Sequence, residues 1–71
     1  NIRVNSISPG PFPNLDKIKD KKFINRLKNK VPMGRVGKPE EIITTALYLS
    51  SKHSSFITGA NIPVDGGWTA W

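Results

Sequence analysis

A chain of 71 residues with a formal net charge of +6, no cysteine and one histidine lacks the thiols for a disulfide framework and the ligands for a structural zinc site. It has no apolar run near the roughly 18–20 residues of a membrane-spanning helix, and its opening, Asn-Ile-Arg-Val-Asn, has no signal-peptide core. A domain this small buries only about 60% of its unfolded surface, so a chain that enters a strand by Ile2 reads as a piece of a larger protein; the lack of cysteine fits a cytoplasmic setting.

In chain order, residues 2–7, Ile-Arg-Val-Asn-Ser-Ile in outline, carry the β-branched residues of a short strand, Ile2 and Val4 on one face and Ile7 on the other. Ser8-Pro9-Gly10-Pro11 stops it, because proline cannot donate to a ladder. Three prolines and a glycine in residues 6–14 are more than a strand needs in order to end. The run reads as a backbone held in a fixed shape, or as an ordinary proline-rich exit.

Between residues 16 and 30, six lysines and Arg26 stand against Asp16 and Asp20, a net +5. Phe23, Ile24 and Leu27 have helical spacing with Asp20 as N-cap; Ile18 is out of phase and implies a break. The cations fit either a solvated helix face or a surface for a polyanion. Phe23 is the one aromatic there, so base stacking on nucleic acid has little support. Val31-Pro32 ends the segment, since a residue before proline leaves the helical basin.

Residues 39–50 form the clearest helix, with Pro39 at its first position and Glu40 and Glu41 at the positive end of its dipole. Ile42, Ala46 and Leu49 make one stripe that Ile43 and Leu47 widen. After a turn at Gly59, residues 61–65 read as a strand closed by Gly66-Gly67, with Pro63 marking an edge. Strand, helix, helix, strand is the order of a parallel α/β crossover.

Ile-Arg-Val-Asn-Ser-Ile-Ser-Pro-Gly, then Pro-Met-Gly-Arg-Val-Gly-Lys-Pro-Glu-Glu-Ile, then Ile-Thr-Gly-Ala-Asn-Ile-Pro-Val-Asp-Gly-Gly closely resemble the C-terminal part of short-chain dehydrogenases/reductases. The resemblance covers nearly the whole chain and is weakest over residues 15–31. It implies that residues 1–71 are the C-terminal portion of a single, doubly wound Rossmann-type domain binding NAD or NADP, with the N-terminal cofactor and catalytic portion outside this chain. The implied activity is hydride transfer between a small-molecule alcohol and a ketone. Pro9, Gly10, Phe12 and Asn14 fall where the family contacts the nicotinamide, through the backbone at Phe12; many members carry threonine where this chain has Asn14. Phe23, Ile24 and Leu27 fall on the substrate lid. The helix at 39–50 and the strand at 61–65 fall where family members form a homo-oligomer, dimer or tetramer, with Trp68 and Trp71 nearby. Pro-Gly-Pro-Phe-Pro-Asn also resembles a subset that includes gluconate dehydrogenases.

Catalytic and metal-binding residues are not expected in this segment. The family's glycine loop has no counterpart in it, and the family's catalytic group is a serine with a Tyr-x-x-x-Lys pair that lies on an earlier helix, before the first strand here. Tyr48 and Lys52 reproduce that spacing at a different place in the fold, so Tyr48 is expected to pack. His53 reads as a turn residue, and Arg35 as the partner of a carboxylate across its loop. The alternatives from other classes are a small basic polyanion-binding module and a non-catalytic family member acting as a scaffold.

Overall fold

The computed structural model describes residues 2–70. Strand β1 (Ser6–Pro9), helix α1 (Lys21–Lys30), helix α2 (Pro39–Ser50) and strand β2 (Asn61–Val64) follow one another, with short 3-10 turns at Lys52–Ser54 and Trp68–Ala70. The two strands pair in parallel, Ser6 opposite Asn61 through Pro9 opposite Val64. One face of the ribbon is polar, where the Ser6 and Ser8 hydroxyls both donate to Asn61 Oδ1 at 2.9 and 2.8 Å. The other carries the half-buried Ile7, Ile62 and Val64. Bonds from the Ser6 and Gly10 amides to the Ala60 and Val64 carbonyls fix the alternation of β2. Pro63 therefore turns its missing N–H away from β1, where no ladder bond is lost.

The first strand starts later than its β-branched residues imply. Val4 bonds to Thr58 Oγ1 and to the Gly59 amide, and Asn5 bonds through its side chain to Ile57 and Ala60. Residues 54–59 are turning there, with Gly59 at φ 74°, so no straight partner exists until Asn61. At its other end β1 runs on to Pro9, because the Gly10 amide still reaches the Val64 carbonyl at 3.0 Å. The second strand stops at Val64, one residue short of Asp65, ahead of the left-handed Gly66 and Gly67.

Asp20 caps α1 as expected, its Oδ1 accepting from the Lys22 and Phe23 amides at 3.0 and 3.2 Å. The break at Ile18 is a separate turn in which the Lys17 and Ile18 amides both donate to the Asn14 carbonyl. Val31 is extended at φ −104°, ψ 124° and closes the helix ahead of Pro32.

Helix α2 matches its expected bounds, but its apolar residues split between two sides. Ile42, Thr45 and Leu49 are half-buried, whereas Ile43, Ala46, Leu47 and Tyr48 are exposed. Tyr48, expected to pack, is 49% exposed, since nothing in the described chain covers that side. The buried core is small: Val31 and Val36, with the polar Ser54. Val31 sits against Gly66, where a Cβ would lie 2.5 Å from Val31 Cγ1.

Candidate functional site

The carboxyl ends of β1 and β2 meet at Gly10. A Cβ placed there would lie 2.7 Å from Asp65 Cβ and 2.8 Å from Asp65 Cα, so only glycine lets the two strand ends come this close. Pro11 is pinned next, its carbonyl accepting from the Gly37 amide at 2.9 Å. The Phe12 ring then occupies the space that a side chain on Gly37 would fill. Three consecutive residues are thus held from two directions. Yet no hydrogen bond among the described residues uses the Phe12 N–H or carbonyl, leaving those two backbone groups free to meet a ligand. The run of prolines and glycine at residues 9–13 fixes an available peptide at the end of a strand.

Asn14 is differently employed. Its Oδ1 accepts from the Asp16 amide at 3.1 Å, and its carbonyl anchors the turn at residues 14–18. Its side-chain oxygen shapes the chain where the family's threonine would offer a free hydroxyl.

Of the three residues that the resemblance places on a substrate lid, the structure brings Leu27 to the strand ends. Leu27 lines a cleft with Pro9, Gly10, Pro11, Asp65 and Trp68. Ile24, one turn earlier, faces a separate groove beside Leu15 and Ile18, and Phe23 is 38% exposed. Trp68 is positioned by Asp65, a residue that spacing alone did not single out. Asp65 Oδ1 accepts from the Gly67 amide at 3.0 Å, and Oδ2 accepts from the Thr69 hydroxyl at 2.8 Å and amide at 3.2 Å. The Thr69 hydroxyl, with the backbone amides, holds the Asp65 carboxyl below its usual value. Trp71 lies outside the described residues.

Arg35 meets a carboxylate, as expected. Its guanidinium grips Glu41 in a two-pronged bond, Nη1 to Oε1 at 2.8 Å and Nη2 to Oε2 at 2.9 Å. Glu41 Oε1 also accepts from the Lys38 amide at 2.8 Å, which caps α2 from inside because a lysine side chain has no acceptor. The Arg35 hydrogen bond, then the Lys38 amide, lower the Glu41 carboxyl to about 2. Both forks of Arg35 are occupied, so it is a fastener for the loop before α2.

Tyr48 and Lys52 do not share a helix. Helix α2 ends at Ser50, Ser51 is extended, and Lys52 opens the following 3-10 turn. His53 is exposed in that turn with its amide on Ser51 Oγ. No cluster of three metal-binding side chains occurs among the described residues, and no helix among them is long and apolar enough to cross a membrane.

Arg3 is the residue that sequence reasoning missed. Its Nη1 donates to the Ser54 carbonyl and hydroxyl and to the Ile57 carbonyl, at 2.9, 3.2 and 3.0 Å. Nη2 donates to the Leu49 and Ser51 carbonyls at 2.9 and 3.3 Å. One guanidinium thereby adds donors to the Leu49 and Ser51 carbonyls where α2 ends and places a cation at the negative end of its dipole. A lone arginine in a β-branched run carries no local signal of a contact about fifty residues away.

A family model described as enoyl-(acyl carrier protein) reductase matches residues 1–69. The chain belongs to the short-chain dehydrogenase/reductase family. It is 52% identical over 71 residues to a 3-oxoacyl-[acyl-carrier-protein] reductase FabG of Chlamydia muridarum, covering 94% of this chain and 27% of that protein. Among solved structures it superposes on 4-hydroxyisoleucine dehydrogenase complexed with NADH with a TM-score of 0.88 at 39% identity, covering 100% of this chain and 30% of that one. It also superposes on the Pseudomonas aeruginosa RhlG/NADP active-site complex with a TM-score of 0.82 at 38% identity, covering 93% and 27%. The fold is thus part of the Rossmann-type α/β architecture of the family, and the chain spans less than a third of the length of these relatives.

Proposed function

We propose that residues 1–71 are the C-terminal part of one NAD(P)-binding Rossmann-type domain, in a cytoplasmic oxidoreductase that interconverts a small-molecule alcohol and a ketone. The observation that carries this is the free Phe12 peptide. It lies at the carboxyl end of a parallel strand, where α/β folds bind their ligands, on a loop pinned at Gly10, Pro11 and the Phe12 ring. A backbone N–H and carbonyl held this firmly fit a nicotinamide carboxamide, whose oxygen accepts and whose NH2 group donates. NADH and NADP in the related structures support the same choice of cofactor.

A bound nicotinamide supplies the hydride donor or acceptor. The chain's own contribution is orientation: Phe12 offers the carboxamide its backbone, while Pro9 and Pro11 lower the entropy lost in ordering the loop. Gly10 sets the loop's height over β2, and Asn14 shapes its exit. Leu27, with Phe23 and Ile24 on the same helix, serves as the lid that excludes water from the cleft. The exposed Ile43, Leu47 and Tyr48 on α2 and the outward edge of β2 suit a homo-oligomer interface.

The test is a backbone substitution in the full-length parent enzyme. Phe12→Pro removes the N–H, and Phe12→Ala removes the ring but keeps the N–H. Loss of one hydrogen bond of about 0.5–1.5 kcal/mol lowers kcat/KM for the cofactor up to about tenfold further in Phe12→Pro than in Phe12→Ala. Equal values for the two variants would remove Phe12 from the cofactor site.

A further inference from the structure

Residues 15–19 and α1 line a groove distinct from the cleft at the strand ends. Its floor is Leu15, Ile18 and Ile24, and its rim is Lys19, Lys21 and Lys28. The charge around it is uneven across the molecule. Residues 16–30 hold seven cations against two acids, while the other fifty-six residues hold four against three. Among the described residues, none of the seven cations forms an ion pair, and Asp20 is engaged with backbone amides.

Helix stability does not account for these lysines. Lys21 and Lys22 stand in a first turn that contains no acid, where a cation opposes the dipole. Covering by the rest of a larger fold does not account for them either, because lysines are almost never fully buried unless paired. The lysine rim is therefore a surface that meets water or an anion, and the groove presents apolar carbon between those positive charges.

We propose that this groove binds an amphipathic small-molecule anion, an apolar chain ending in a carboxylate or phosphate, as the distal part of the parent enzyme's substrate. The assignment to substrate rests on the lid reading above. The chain lies along Leu15, Ile18 and Ile24, and the head is held by Lys19, Lys21 and Lys28. A cleft lined by one sign of charge also concentrates such a molecule and speeds its capture. Because Leu27 of the same helix reaches the Pro9–Gly10–Pro11 cleft, occupancy of the groove orders the lid over the strand ends.

Octanoate and octanamide, which share a chain and differ in the charge of the head, separate this from simple apolar binding. Calorimetric titration of the full-length protein with its nicotinamide cofactor is run at about 20 and about 500 mM sodium chloride, taking the screening length from roughly 20 to roughly 4 Å. Octanoate binds about tenfold tighter than octanamide at low salt and within about twofold at high salt, as a cationic cleft requires. Lys21→Gln combined with Lys28→Gln, both exposed, abolishes the preference without moving the melting temperature. Equal affinity for the two compounds, no measurable binding of octanoate, or a preference that survives the double substitution overturns the proposal. Turnover is read separately: if no carbonyl compound oxidises NADH or NADPH the oxidoreductase function fails, and the octanoate comparison still decides the chemistry of the groove.

Discussion

At the scale of single residues, the site is built by what is missing from side chains. Gly10 and Gly37 are used for their space: one admits Asp65 and the other admits the Phe12 ring. The two demands differ in kind. At Gly37 the obstacle is the end of a side chain, which can swing aside. At Gly10 it is the Cα and Cβ of Asp65, and backbone can yield only by opening the strand ends. Gly10→Ala is accordingly expected to destabilise the full-length protein by about 3 kcal/mol, the upper part of the overpacking range, and to weaken cofactor binding with it. Thermal unfolding and a cofactor titration check this; an alanine variant with wild-type stability and affinity would mean that the strand ends are not as close as the geometry places them.

Element by element, what the sequence made legible was whatever is decided within a turn or two of chain. Pro39 with Glu40 and Glu41 set the start of α2, Asp20 set the start of α1, and Pro63 marked the outward edge of β2, all from local stereochemistry. The start of β1 was misplaced because β-branched residues signal extended chain, and whether that chain finds a ladder depends on residues 54–59, which turn away. Leu27, Ile24 and Phe23 are indistinguishable by spacing, and only the cleft that Leu27 lines at the strand ends separates it from the other two. Arg3 was invisible for the same reason, since its five partners lie between residues 49 and 57. Its role gives a sharp expectation. Lysine keeps the charge but not the planar fork, so Arg3→Lys removes most of the charged hydrogen bonds to the Leu49, Ser51, Ser54 and Ile57 carbonyls. A loss of about 2 kcal/mol follows from charged hydrogen bonds worth about 1.5–3 kcal/mol. It is checked by denaturant unfolding of the full-length protein, together with faster hydrogen exchange at residues 49–57. A variant as stable as the parent, with unchanged exchange, would reduce Arg3 to a surface residue.

For the whole molecule, surface accounts for what the described chain lacks. A folded monomer of 7.9 kDa exposes about 4,400 Å² by the usual scaling. This chain exposes 5627 Å², and its radius of gyration is 14.4 Å against about 11 Å for a compact domain of its length. Its extents of 47 × 28 × 14 Å describe a slab one layer thick. Large apolar side chains are part of the excess: Ile2, Val4, Leu47 and Phe56 are at least 64% exposed, and two parallel strands alone do not make a stable sheet. The surfaces divide by chemistry, however. Ile43, Leu47 and Phe56 want covering, whereas the lysine-lined side of α1 does not. The 71-residue chain expressed alone is therefore expected to show no cooperative thermal transition by circular dichroism, and to bind neither NADH nor NADPH. A sharp melt from the isolated chain would show that its few buried side chains, Val31 and Val36 foremost, suffice to hold the fold. The free Phe12 peptide would then belong to a module that stands by itself, and the cationic groove, not the strand ends, would be the feature around which its function is organised.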